Sequence, residues 1–185
     1  MELLGPALGL LELESIARGM VVADALVKRA AVRLARAEAV TPGKYLILFS
    51  GPVAEVEESF KAAEAAGGAL IIDRLLLTQL ALGVARALGG KPDAMLPTDA
   101  VGIVETHTVA SAIKAADAAA KRAQIRVTSL HLAKGIGGKG YFTIAGVQAD
   151  VEAALEGAAA SIEPSLLLTT EIIQRPHREL RGPVF

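Results

Sequence analysis

The chain contains no cysteine. Disulfides, thiolate nucleophiles, Cys-ligated zinc and iron–sulfur clusters are therefore excluded. Aromatic residues make up only 3%, two Tyr and four Phe, too few for a base-stacking platform. Neither sign of charge dominates: nineteen Lys and Arg against twenty Asp and Glu leave a formal net charge of −1. No global field would recruit nucleic acid or an anionic membrane. No apolar run approaches the roughly 18 residues of a membrane span, and Met1-Glu2 opens acidic rather than as a secretory signal. The expectation is a soluble, cytoplasmic protein. His107, His131 and His177 show no H-x-x-x-H or H-E-x-x-H spacing, so no metal site is expected from them.

What the chain has is small apolar side chains. A hydrophobic share of 52% with so few aromatics means a core of Ala, Leu, Val and Ile, each burying less surface than Phe would. Small domains with such cores are helped by packing on further copies, which favours an oligomer. The chain also repeats itself. At an offset of 93, Gly9, Glu12, Ala17, Ala23, Asp24, Ala25, Lys28, Arg29, Ala30 and Arg33 recur as Gly102, Glu105, Ala110, Ala116, Asp117, Ala118, Lys121, Arg122, Ala123 and Arg126. At an offset of 95, Gly43, Lys44, Gly51, Ala54, Val56, Glu57, Ala63 and Ala65 recur in turn, so the second loop is two residues longer. Such in-register blocks mark a tandem duplication. The expected organisation is a first domain over 1–90, a linker over 91–99 and a second domain over 100–185.

Each half carries the same pattern of elements. Residues 7–14 alternate as a strand, and Ser15 is placed to N-cap a helix over 16–30. Ile16, Met20, Ala23, Val27 and Ala30 share one face of that helix. Strands follow at 32–40 and 45–49. Pro52 opens a second helix, which stops at Gly67-Gly68, and residues 69–72 make a fourth strand. Leu75–Leu88 read as a further apolar helix. In the second half the order is a strand 100–106, a helix 108–123 and strands 124–132 and 140–145. A helix 147–160 and a strand 165–173 complete it. Val109, Ala112, Ile113, Ala116 and Ala120 share a face of the helix 108–123. Each half is thus β-α-β-β-α-β, an α+β, ferredoxin-like arrangement.

Few residues announce chemistry. Gly135-Ile136-Gly137-Gly138-Lys139-Gly140 resembles a phosphate cradle, but Gly140 stands where G-x-x-x-x-G-K-[ST] needs Ser or Thr, and the loop enters a strand. A turn between strands is the simpler reading. Glu12 and Glu105 repeat on strands, and Lys28-Arg29 and Lys121-Arg122 at helix ends complement the helix dipole. No Ser/His/Asp set is visible, so no enzyme is expected.

Ala23-Asp24-Ala25-Leu26-Val27-Lys28-Arg29-Ala30 and Ala116-Asp117-Ala118-Ala119-Ala120-Lys121-Arg122-Ala123 resemble the first helix of bacterial microcompartment shell proteins. Gly51-Pro52-Val53-Ala54-Glu55-Val56 and Gly146-Val147-Gln148-Ala149-Asp150-Val151 resemble their junction into the second helix, and Ile173-Gln174-Arg175-Pro176-His177 resembles their I-P-R-P-H segment. The match covers nearly the whole chain twice, as in the non-permuted tandem-domain members; the permuted ones fit less well. The resemblance implies a structural protein of the shell, within the cytoplasm. It implies a homotrimeric pseudohexagonal tile that meets hexameric tiles and pentameric vertices laterally and passes small metabolites through a central pore. Pore-lining positions fall on Val40, Thr41, Pro42 and Gly43, and on Lys134, Gly135, Ile136, Gly137 and Gly138. Tile-edge positions fall on Lys28, Lys121 and Arg175, with Arg74 as a weaker first-half counterpart. Some tandem members bind an iron–sulfur cluster through a pore-loop Cys; Val40-Thr41-Pro42 stands there instead, and no cofactor is expected. The rival from another class is a ligand-sensing regulatory protein on paired ferredoxin-like domains.

Overall fold

The computed structural model describes residues 5–94 and 100–180; part of the expected linker and the ends of the two expected domains lie outside them. Strand β1 (Ala7–Leu13) leads into helix α1 (Ile16–Arg29), then β2 (Arg33–Val40), β3 (Lys44–Gly51), α2 (Val53–Gly67) and β4 (Ile71–Leu77). A short helix α3 (Leu82–Leu88) precedes the second set: β5 (Ala100–Thr106), α4 (Val109–Arg122), β6 (Arg126–Leu132), β7 (Gly140–Gly146), α5 (Gln148–Ser161) and β8 (Leu167–Ile173). The strands form two antiparallel sheets, ordered β2-β3-β1-β4 and β6-β7-β5-β8. That order with β-α-β-β-α-β connectivity is the ferredoxin-like fold expected from the sequence.

Local chemistry accounts for the helix starts. The Ser15 hydroxyl accepts the Arg18 N–H, and Thr108, its repeat partner, accepts the Ser111 N–H. Both helices end with Lys-Arg in the last turn, where cations meet the negative end of the helix dipole. In the first sheet every odd residue of β1 and β3 points to the helices. Leu11, Leu13, Ile47 and Phe49 pack there on Val22, Leu26, Val56, Phe60 and Ala63. Gly9 lies opposite Phe49 in register, and a Cβ on it would stand 2.3 Å from the ring. Gly102, its partner in the second repeat, would likewise press on Ile144 and Val151 at 2.9 Å. The duplicated glycine makes room for a large neighbour in both cores.

Three expectations are corrected. Residues 75–77 are strand, not helix: β4 extends to Leu77, pairing antiparallel with β1, and only Leu82–Leu88 is helical. An unbroken Leu75-Leu76-Leu77 run carries no period that separates strand from helix. The buried face of α1 is Gly19, Val22, Ala23 and Leu26, whereas Ile16, Met20 and Val27 are exposed. The third concerns α3. The chain divides into two compact units, Met1–Leu80 with Ala133–Gly138, and Ala81–Leu132 with Lys139–Phe185. Helix α3 therefore groups with the second unit, and not with the first domain expected over 1–90. It packs there on β6 and α4, held by the Asp117 carboxylate accepting the Ala81 N–H at 2.8 Å and by the Asp93 N–H donating to the Val127 carbonyl.

Candidate functional site

The expected pore-loop residues occupy two hairpin connections. Val40 ends β2, and residues 41–43 join it to β3; the Gly43 N–H donates to the Val40 carbonyl at 2.9 Å. Gly43 has φ 113, a region that favours glycine. The longer loop, 133–139, joins β6 to β7, with Ala133, Gly135, Gly137 and Gly138 all at positive φ between 58 and 79. The compact first unit includes residues 133–138, and within it Gly138 lies against the first loop. A Cβ there would stand 3.0 Å from Pro42 Cδ and from the Thr41 carbonyl oxygen. Nothing lies within 4 Å of where one would sit on Gly43, Gly135 or Gly137. The structure thus brings the two expected loops together at Gly138 and leaves their other glycines open.

At the base of each loop stands an ion pair that the sequence reading did not assemble. Lys44, the first residue of β3, reaches Glu12 on β1 at 3.5 Å. Lys139, the last residue before β7, reaches Glu105 on β5 at 2.9 Å. Glu12 is 1% exposed, but the side chain of its partner Glu105 is 33% exposed. The signal was available, because Glu and Lys recur together in both halves. What sequence alone lacked was the strand order that sets β3 beside β1. On the same face of the second sheet His131 stacks on Tyr141 with ring centroids 4.5 Å apart. Burial raises the Tyr141 phenol above its ordinary pKa.

The expected edge lysines are equivalent in sequence and unequal in setting. Lys28 pairs with Asp24 one turn back at 2.6 Å, with both groups well exposed. Lys121 pairs with Asp117 at the same distance, but Asp117 is buried and also accepts the Ala81 N–H. Arg175 is exposed, at positive φ (51), just past β8. Arg74 is not its counterpart. Leu8 and Val101 are repeat partners, and they pair with Leu77 and Ile173. Two residues on from those lie Gln79 and Arg175, whereas Arg74 is inside β4 and bonds Glu64 on α2 at 2.9 Å. A slip of this size is invisible where the first half lacks the Arg-Pro-His signature.

Among the described residues no group of three His, Cys, Asp or Glu could hold a metal ion, and no helix is long and apolar enough to cross a membrane. Residues 7–79 and 100–176 each match the BMC domain family. The bacterial microcompartment shell protein PduT of Citrobacter freundii is 38% identical over 175 residues, 94% of this chain and 95% of the relative. A crystal structure of a microcompartment protein from Desulfitobacterium hafniense superposes with a TM-score of 0.84 and is 36% identical, covering 94% of this chain and 97% of that one. A fused, permuted hexameric shell protein of the RMM microcompartment shares the fold, with a TM-score of 0.62 and 21% identity over 83% of this chain and 79% of that one.

Proposed function

The chain belongs to the BMC domain family, and from that premise we propose that it is a structural shell protein of a bacterial microcompartment, lying within the cytoplasm and acting without catalysis. Its assembly unit is a homotrimer whose six domains make a pseudohexagonal tile. The two loop types alternate around a central pore that passes small polar metabolites, and edge lysines set the lateral contacts with neighbouring tiles and vertices.

The observation that carries the oligomer is a difference between repeats. On α4, Val109 and Ile113 are each 0% exposed; on α1 their partners Ile16 and Met20 are 37% and 58% exposed. Two helices descended from one sequence keep apolar residues at the same positions, and only one of them is covered within the chain. Burying such a face favours association at roughly 25 cal/mol per Å², and a second copy of the chain supplies a surface of fitting ancestry. The relatives named above are microcompartment proteins. Native mass spectrometry at dilute and high concentration tests the reading. A species three times the 19.0 kDa chain is expected, and a monomer or closed dimer at all concentrations overturns the tile.

A further inference from the structure

Met20 is the one methionine among the described residues, and it stands outward on α1 at 58% exposure. A thioether so accessible is open to peroxides, and a chain without cysteine has no thiol to intercept them. Its repeat partner on α4, Ile113, is 0% exposed. The same helical position is thus covered in one half of the chain and open in the other. The surroundings of Met20 suit a thioether and not its oxide. One turn away on α1 lie Ile16, Ala17 and Ala23, whose side chains have no donor, and Asp24. The ionised Asp24 carboxylate has no proton to give, and Lys28 is engaged with it at 2.6 Å. A thioether packs there as an apolar group. A sulfoxide oxygen is a strong acceptor that this stripe does not satisfy, and burying it without a hydrogen bond is unfavourable.

We infer that Met20 is an oxidation site whose state controls closure of the trimer, with hydroperoxides as the co-reactant. A lone pair of Sδ attacks one oxygen of hydrogen peroxide, and the S–O bond forms as the O–O bond breaks. Sulfur loses two electrons. The leaving oxygen gains them, takes up the proton of the transferred oxygen and departs as water. The inference rests on the trimer proposed above, in which the α1 stripe is covered by a second copy. It gives assembly an order of events: Met20 is reactive in the free chain, and closure shields it. Oxidised chains are held back from the tile until a methionine sulfoxide reductase returns the thioether.

The test uses the full chain. Native mass is followed across concentration before and after hydrogen peroxide, and tryptic peptides are weighed at each step. Arg18 and Lys28 bracket Met20, which places it on a peptide apart from Met1 and Met95. Peroxide is expected to add one oxygen to the Met20 peptide, faster in dilute than in trimeric protein. It is expected to raise the concentration at which half the chains are trimeric by about tenfold or more. Methionine sulfoxide reductases A and B together are expected to restore the original value. Met20→Leu, judged against its own untreated sample, is expected to show no peroxide-dependent change; where that variant does not assemble, the reductase step on the unaltered chain decides. A trimer that persists with Met20 fully oxidised, a loss of trimer that tracks oxygen on the Met1 or Met95 peptide instead, or equal oxidation rates in dilute and trimeric protein overturns the inference and leaves the tile standing. An untreated chain that is monomeric at every concentration overturns the trimer on which the inference rests.

Discussion

Asp24 and Asp117 are the same residue twice, and the structure gives them different work. Asp24 pairs with exposed Lys28, and such surface pairs contribute less than about 1 kcal/mol. Asp117 is buried, pairs with Lys121 and accepts the N–H that precedes α3. Removing it leaves a backbone donor unmatched, which costs about 1–3 kcal/mol. Asp117→Ala is therefore expected to lower the urea midpoint clearly and Asp24→Ala barely; equal losses would mean that the contact to Ala81 contributes nothing. The string Ala-Asp-Ala-x-x-Lys-Arg-Ala made both aspartates legible as a repeat. Their divergence was not legible, because it depends on a helix that exists beside only one of them. The ion pairs Glu12–Lys44 and Glu105–Lys139 were hidden for a related reason: each joins residues 32 or 34 positions apart, and no local period reports that.

At the scale of elements, α1 shows where sequence patterning misleads. Its apolar residues cover most of its circumference, so the stripe Ile16-Met20-Ala23-Val27 fits helical spacing as well as the buried set Gly19-Val22-Ala23-Leu26 does. Gly19 decides between them physically. A Cβ there would stand 2.3 Å from the Tyr45 ring, so the helix sits close to the sheet on the glycine side and turns Met20 outward. Helix caps, strands and the sheet's antiparallel pattern were readable from local chemistry. Where β4 ended and α3 began was not, since three leucines in a row serve either element. The outward stripe is where association is expected. Met20→Glu should leave the circular dichroism spectrum intact while shifting native mass from trimer to monomer. A charged side chain buried at an interface without a partner is strongly unfavourable. If Met20→Glu still runs as a trimer, the α1 face is not the contact.

For the whole molecule, the duplication poses a question of symmetry that a single-domain tile would not. The trimer proposed above would have two kinds of edge, one carrying Lys28 and one carrying Lys121. A lysine that lies along a seam must exchange its own partner for a carbonyl or carboxylate across it. Lys28 does so at little cost, because Asp24 is exposed and solvent replaces the lost contact. Lys121 is held by a carboxylate whose burial leaves less solvent to replace it, so its release is costlier. On that proposal the Lys28 edges would be the adaptable ones, and the Lys121 edges would be held in one geometry. Negative-stain microscopy of concentrated protein separates these roles. Lys28→Ala with Lys121→Ala is expected to abolish flat hexagonal sheets while native mass remains trimeric, since neither side chain lies on the α1 stripe assigned to trimer closure. Of the single variants, Lys28→Ala is expected to weaken sheet formation more, because the exposed ammonium reaches a neighbour without first leaving a buried partner. Normal sheets from the double variant would remove both lysines from the tile edge. A stronger defect from Lys121→Ala would reverse the order argued here and show that the geometry fixed by Asp117 is what the seam depends on.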